Sequence, residues 1–207
     1  MTSVTTVDNP LVDTKLTRLR DVSTPTGEFR ALLGDIGCLL TPAATANLPT
    51  RPITVTTPLT TTEGVVLDGG TPVLVSVLRA GNGLMEGVLR LLPDTDIGQI
   101  GLYRDHETLE AHQYMVRMPP IAGRHVIVVD PMLATGHSAT AALDIVAAEQ
   151  PASVVFMCLV AAPEGIAELQ ARHPNVDIVT AAIDSHLNEV GYIVPGLGDA
   201  GDRLYGT

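Results

Sequence analysis

Between Val73 and Ala182 the chain alternates short, near-continuous apolar runs with segments of helical spacing. Strands are expected at Val73–Leu78, Asp96–Tyr103, Val126–Asp130, Ser153–Ala161 and Val176–Ala182, and helices at Leu84–Leu92, Ala139–Glu149 and Glu164–His173. Strands that are apolar on both faces, separated by helices of this length, argue for a parallel sheet covered on both sides. Ligands of such sheets bind beyond the carboxyl ends of the strands, near the point where the winding direction switches. The pattern therefore sets both the fold class, α/β, and the place to look for chemistry.

One junction says more than the others. His125 to Val129 is apolar and β-branched, Asp130 follows, and Pro131-Met132-Leu133-Ala134-Thr135-Gly136-His137-Ser138 leads into an alanine-rich helix. A helix start offers unpaired N–H groups and a partial positive charge, which together suit a phosphate. Gly136 lets backbone approach the anion, Thr135 and Ser138 add hydroxyl donors, and Asp130 is placed to hold a sugar hydroxyl or a magnesium ion. The plainer reading is an Asp that caps the helix and a Gly that closes the turn. The spacing is not GxxxxGK[ST], and no GxGxxG follows a strand, so nucleoside-triphosphatase and dinucleotide readings fail.

Upstream, Pro10–Arg20 and Thr26–Leu40 read as helices, residues 49–68 as a β-hairpin or extended arm, and 69–72 as a turn. The segment 105–118 reads as a mobile excursion, with two antiparallel strands over the site. The 207 residues fit a single domain, divided into N-terminal helices and arm (1–70), core (71–182) and a C-terminal hood (183–207). The longest apolar run, Val154–Ala162, is too short to cross a bilayer, and no secretory signal is read at the start. Cys38 and Cys158 are too few for a disulfide framework and suit a reducing cytoplasm. A net charge of −11 opposes nucleic-acid binding, and with 3% aromatic residues base-stacking platforms are not expected.

Four segments taken together resemble the uracil phosphoribosyltransferases: Leu78-Arg79-Ala80-Gly81-Asn82-Gly83, Tyr103-Arg104-Asp105, Val129–Gly136 and Asn188–Arg203 with its Pro195-Gly-Leu-Gly-Asp-Ala-Gly-Asp202. The resemblance runs from about Asn9 to Thr207. It implies a phosphoribosyltransferase core with a mainly parallel five-stranded sheet, a β-hairpin arm and a hood. It also implies a reaction, in which uracil and 5-phospho-α-D-ribose 1-diphosphate give UMP and diphosphate with magnesium.

On that resemblance, Asp130, Pro131, Met132, Leu133, Ala134, Thr135, Gly136, His137 and Ser138 hold ribose and 5-phosphate. Arg79, Arg104 and the backbone of Ala80-Gly81 take the diphosphate, in a turn that in similar enzymes includes a non-proline cis peptide. Tyr192, Ile193, Val194, Gly198, Asp199 and Ala200 form the uracil slot, where backbone groups of Ile193, Gly198 and Ala200 meet the N3–H and the two carbonyls. Asp199 stands between base and diphosphate, near the metal, and the catalytic roles fall to Arg79, Arg104, Asp130 and Asp199. At least a homodimer is implied, and GTP is a candidate effector. Two departures stand out: Pro131 replaces a second acidic residue common in phosphoribosyltransferases, and His137, where relatives often have Gly, reads as an exposed helix-start histidine. His186 and Glu189 read as a solvated helix end, and Asp105, Glu107 and Glu110 as a charged loop surface. Segment 192–202 argues against a purine or orotate substrate, and the acidic balance against an RNA-binding regulator.

Overall fold

The computed structural model describes residues 3–104 and 111–207, with backbone alone for 104, 111 and 112. In chain order the elements are β1 (Val4–Thr6), α1 (Pro10–Arg20), α2 (Thr26–Ala44), β2 (Thr50–Thr56), β3 (Thr61–Leu67), β4 (Val73–Leu78) and α3 (Gly81–Leu89). Then follow β5 (Ile97–Arg104), β6 (Ala111–Arg117), β7 (His125–Val129), β8 (Met132–Leu133), α4 (His137–Ala148) and β9 (Ser153–Ala161). The chain closes with α5 (Pro163–Arg172), β10 (Asp177–Ile183), β11 (His186–Leu187), β12 (Ile193–Val194) and α6 (Ala200–Tyr205).

The five strands expected from the sequence form the parallel centre of the sheet, in the order β10-β9-β7-β4-β5. Three short or marginal strands widen it to eight: β1 pairs with β10, β8 with β9, and β6 runs antiparallel to β5. Winding begins at β4, moves outward to β5, then returns to β7 on the other side. The carboxyl ends of β4 and β7 therefore flank the switch point, and the segments after them are Arg79–Gly81 and Asp130–Ser138.

Each face of the sheet carries its own apolar layer. Leu19, Phe29, Leu33, Ile36 and Leu40 of α1 and α2 cover one face with Leu84 and Val88 of α3. Ala142, Leu143 and Val146 of α4 and Leu169 of α5 cover the other. These helices have little intrinsic reason to form beyond their apolar stripes, so packing supplies most of their stability. α3 illustrates this. It starts at Gly81 rather than at the expected Leu84, so Gly-Asn-Gly is drawn into a helix despite poor propensity. The reason is proximity: a Cβ on Gly81 would fall onto the Val129 carbonyl and one on Gly83 onto Leu33, while further along a Cβ on Gly87 would meet the Gly34 carbonyl and one on Gly37 the Leu84 carbonyl. α2 and α3 thus meet backbone to backbone along a seam of glycines. α2 also runs four residues beyond the expected end, past Pro42.

The residues 49–68 form the expected hairpin, β2 paired antiparallel with β3 from Thr50–Leu67 to Thr56–Thr61, with most side chains exposed. His186 is a correction to the expected helix end. It belongs to β11, which pairs with β12 through His186–Val194 and Leu187–Ile193, and Glu189 lies in the turn between them. Asp105, Glu107 and Glu110 lie outside the described residues, as do residues 105–110 of the expected excursion as a whole. Its return limb is the strand β6.

Candidate active site

Asp130 directly follows the central strand β7 and Arg79 directly follows its neighbour β4. The two termini open into one cleft of about 780 Å³, and Val77, Leu78, Ala80, Leu102 and Tyr103 form its wall on the side of β4 and β5. Met132, Leu133, Ala134, Thr135, Gly136 and Ser138 line one side, and Tyr192, Ile193, Gly198, Asp199 and Ala200 line the other. The two regions picked out by sequence therefore face each other. Four expected positions do not line the cleft. Pro131 and Gly81 are buried behind it, Val194 is half-buried in β12, and His137 points outward as an exposed first residue of α4. The side chain of Arg104 lies outside the described residues; its backbone ends β5.

The 130–138 loop owes its shape to its neighbours. Leu159 and Val160 N–H groups of β9 donate to the Pro131 carbonyl, and Ala162 N–H donates to that of Leu133, so the sheet holds the loop from behind. Gly136 then turns the chain into α4 with φ +85°, a left-handed conformation that favours glycine, and a Cβ there would press on Glu168. No side chain caps α4. The Thr135 hydroxyl accepts from the His137 N–H at 3.5 Å, and the N–H groups of this first turn, with the Ser138 hydroxyl beside them, suit an anion.

Asp130 is half-buried, and its carboxyl is pushed up to about 7 by desolvation. A hydrogen bond from the Met132 N–H opposes the shift, while the charge of Asp199 adds to it. Two carboxylates thus reach the same space from opposite walls. A carboxyl poised this way favours a cationic or hydroxyl-bearing neighbour.

Arg79 follows a cis Leu78–Arg79 peptide and stands exposed at the cleft. Its guanidinium lies 5.3 Å from the centre of the Tyr205 ring, and its Nη2 is 3.8 Å from Asp202. The Tyr205 hydroxyl donates to the Arg79 carbonyl at 2.9 Å. α6 therefore spans the site: Asp199 caps its start by accepting from Asp202 N–H, and Tyr205 props Arg79 at its end. Sequence reading missed Asp202 and Tyr205. Of the chain's four tyrosines, Tyr103, Tyr114 and Tyr192 line the cleft and Tyr205 touches Arg79, an association that the sequence alone does not display.

The loop that follows β12 is fixed from a distance. The Val194–Pro195 peptide is cis, and the next residues are held by Arg20 and Arg203. Arg203 donates to the carbonyls of Leu19 (2.6 Å), Leu197 (2.9 Å) and Asp21 (2.6 Å), and stacks on Phe29 at 4.5 Å. Among the described residues no three His, Cys, Asp or Glu side chains cluster as a metal cage, and none of the described helices is long and apolar enough to cross a membrane.

Comparison with known proteins agrees with this geometry. A profile of the uracil phosphoribosyltransferase family matches residues 6–207. The uracil phosphoribosyltransferase of Rhizobium rhizogenes is 53% identical over 208 residues, covering all of both chains. A solved structure from Aquifex aeolicus superposes with a TM-score of 0.93 at 35% identity, covering 98% of this chain and 97% of its own. A hypoxanthine phosphoribosyltransferase from Trypanosoma cruzi reaches 0.52 at 17% identity, over 79% and 77% of the two chains, which shows the shared fold alone. With a cleft at the switch point, an uncapped helix start and a match across nearly its whole length, the chain belongs to the uracil phosphoribosyltransferase family, a family of pentosyl-transferring enzymes.

Proposed function

We propose that this protein joins uracil to 5-phospho-α-D-ribose 1-diphosphate, releasing UMP and diphosphate in pyrimidine salvage. The observation that carries the reading is the single cleft on which the Asp130–Ser138 loop and the Tyr192–Ala200 loop converge, with Arg79 at its mouth. The 5-phosphate takes the N–H groups at the start of α4 and the hydroxyls of Thr135 and Ser138. Asp130 holds the ribose hydroxyls, and its carboxylate faces the ribose as C1 becomes cationic.

Uracil N1 forms the new bond to C1 as the bond to diphosphate breaks; the leaving group departs with the electron pair, and the N1 proton passes to the departing diphosphate or to solvent. Arg79, and Arg104 on the family resemblance, stabilise the charge that grows on it. Backbone groups of Ile193, Gly198 and Ala200 read the edge of the base. A base with a mismatched exocyclic group leaves buried polar atoms unpaired, a penalty of several powers of ten. No side chain acts as a covalent nucleophile in this scheme. Orientation of the base over C1 supplies the rest of the acceleration.

Magnesium fits the donor set. Asp130 and Asp199 bring two carboxylates to one cleft and would hold the ion together with the diphosphate. When bound, the ion neutralises charge on the diphosphate. The resemblance further carries a homodimer or larger assembly and GTP as a candidate effector, and the two free cysteines suit a cytoplasmic setting. Incubating the purified chain with uracil, the ribose diphosphate and magnesium tests the reading: UMP and diphosphate are expected in equal amounts, and their absence overturns it.

A further inference from the structure

We propose that Arg20, the last residue of α1, and Asp184, just after β10, are positioning residues that set base specificity by holding the 193–200 loop in register. The proposal rests on the uracil reading above. Gly196 sits in the middle of that loop and is gripped on both sides. Its N–H donates to Asp184 Oδ2 at 2.9 Å, and its carbonyl accepts from Arg20 Nη1 at 2.7 Å. Arg20 in turn binds both oxygens of Asp184, at 2.8 and 2.6 Å. Three groups close a ring in which each polar atom has a partner, and the Asp184 side chain is 5% exposed.

Neither Arg20 nor Asp184 lines the cleft, so neither touches substrate. Their effect passes through the backbone. β12 is two residues long and pairs only over His186–Val194 and Leu187–Ile193, which is too little to fix the residues beyond it. The ring at Gly196, together with Arg203 on the Leu197 carbonyl, does that instead. Both anchors lead to the last turn of α1, through Arg20 itself and through the Leu19 and Asp21 carbonyls. Amides and carbonyls that read a base by direct pairing must stay within fractions of an ångström, so a loosened ring weakens the reading of uracil first. Arg79 is held by β4, α3 and Tyr205, outside this ring.

Steady-state kinetics of the wild type, Arg20→Ala, Arg20→Lys and Asp184→Asn test this, with uracil and cytosine as alternative bases and the ribose diphosphate varied separately. For Arg20→Ala the KM for uracil is expected to rise ~10- to 100-fold, while that for the ribose diphosphate stays within about threefold. The preference for uracil over cytosine is expected to fall in parallel. Arg20→Lys, which keeps the charge but not the fork, is expected to restore part of both. A purely structural pair would lower the thermal midpoint and kcat with both KM values and the base preference unchanged, and that result overturns the proposal. If Arg20→Ala does not fold, the same split is read from Arg20→Lys and Asp184→Asn. A wild type that forms no UMP overturns the functional reading and this proposal with it. An active wild type with unshifted variants overturns this proposal alone.

Discussion

The loop from Asp130 to Ser138 grows out of a central strand and runs straight into a long helix. The loop from Ile193 to Ala200 begins with a two-residue strand and is tied down by Arg20, 176 positions before Gly196, by Asp184, and by Arg203 of the last helix. Both face the same cleft. The first is shaped by main chain: β9 amides on its carbonyls and one left-handed glycine. The second is shaped by two guanidiniums and a carboxylate. A phosphate asks only for amides at a helix start, which any strand–turn–helix unit supplies, whereas a base asks for a particular set of edges. On the proposed function, the part of the ligand with little individuality is met by regular structure, and the part with most by an assembled contact.

If this contrast is sound, replacements on either side should fail differently, and the largest effect belongs to Asp130. Its folded pKa of about 7 lies above the ordinary 3.8, so between those values the folded state keeps a proton that the unfolded state has released. Stability of the ligand-free protein should fall as pH rises through that window, by up to about 4 kcal/mol, and the full cost should be present above pH 7. Asp130→Asn should remove the slope and raise the unfolding midpoint at pH 8 while reducing UMP formation; denaturation curves from pH 4 to 8 would break the prediction if both proteins show the same slope.

Gly136→Ala comes next. The added methyl meets both the positive φ and Glu168, which costs about 1–2 kcal/mol of strain and shifts the amides of the loop. Turnover per KM for the ribose diphosphate should drop ~100-fold, with the uracil KM nearly constant. A change confined to uracil would erase the distinction between the two loops.

Arg203→Ala should cost about 2 kcal/mol of stability, because it removes the guanidinium from the Leu19 and Leu197 carbonyls, leaves the Asp21 carbonyl with the Thr24 N–H alone, and uncovers Phe29. Limited proteolysis should then cut within 188–198 sooner than anywhere in 130–138. Tyr205→Phe is the smallest change, since it removes only the hydroxyl that donates to the Arg79 carbonyl and keeps the ring beneath the guanidinium. About a three- to tenfold weaker binding of diphosphate is expected, readable by calorimetry with magnesium present.

The same contrast explains what the sequence made legible. The five central strands and α4 announce themselves through unbroken apolar runs and an alanine-rich helix, and Asp130 and Gly136 fall where those runs meet. β1 and β8, at three and two residues, are too short to leave a periodic trace, and the start of α3 was hidden by two glycines, Gly81 packed against the Val129 carbonyl of β7 and Gly83 against Leu33 of α2. Residues lining the base side were found only through a family resemblance. The ring of Arg20, Asp184 and Gly196 joins positions 164 and 176 residues apart, and no local spacing can reveal a contact of that range. Arg20 alone reads as a cation at a helix end, the ordinary partner of its dipole.

The seam between α2 and α3 has an outcome for heredity. Because hydrogen atoms alone separate the two backbones at Gly37 and Gly87, a single methyl there acts as a wedge under the helix whose head carries Arg79. Drifting descendants of this chain have freedom almost everywhere on α3's outer side and none along that inner line. A mutation far from any ligand would arrive at the enzyme's mouth as a misplaced arginine.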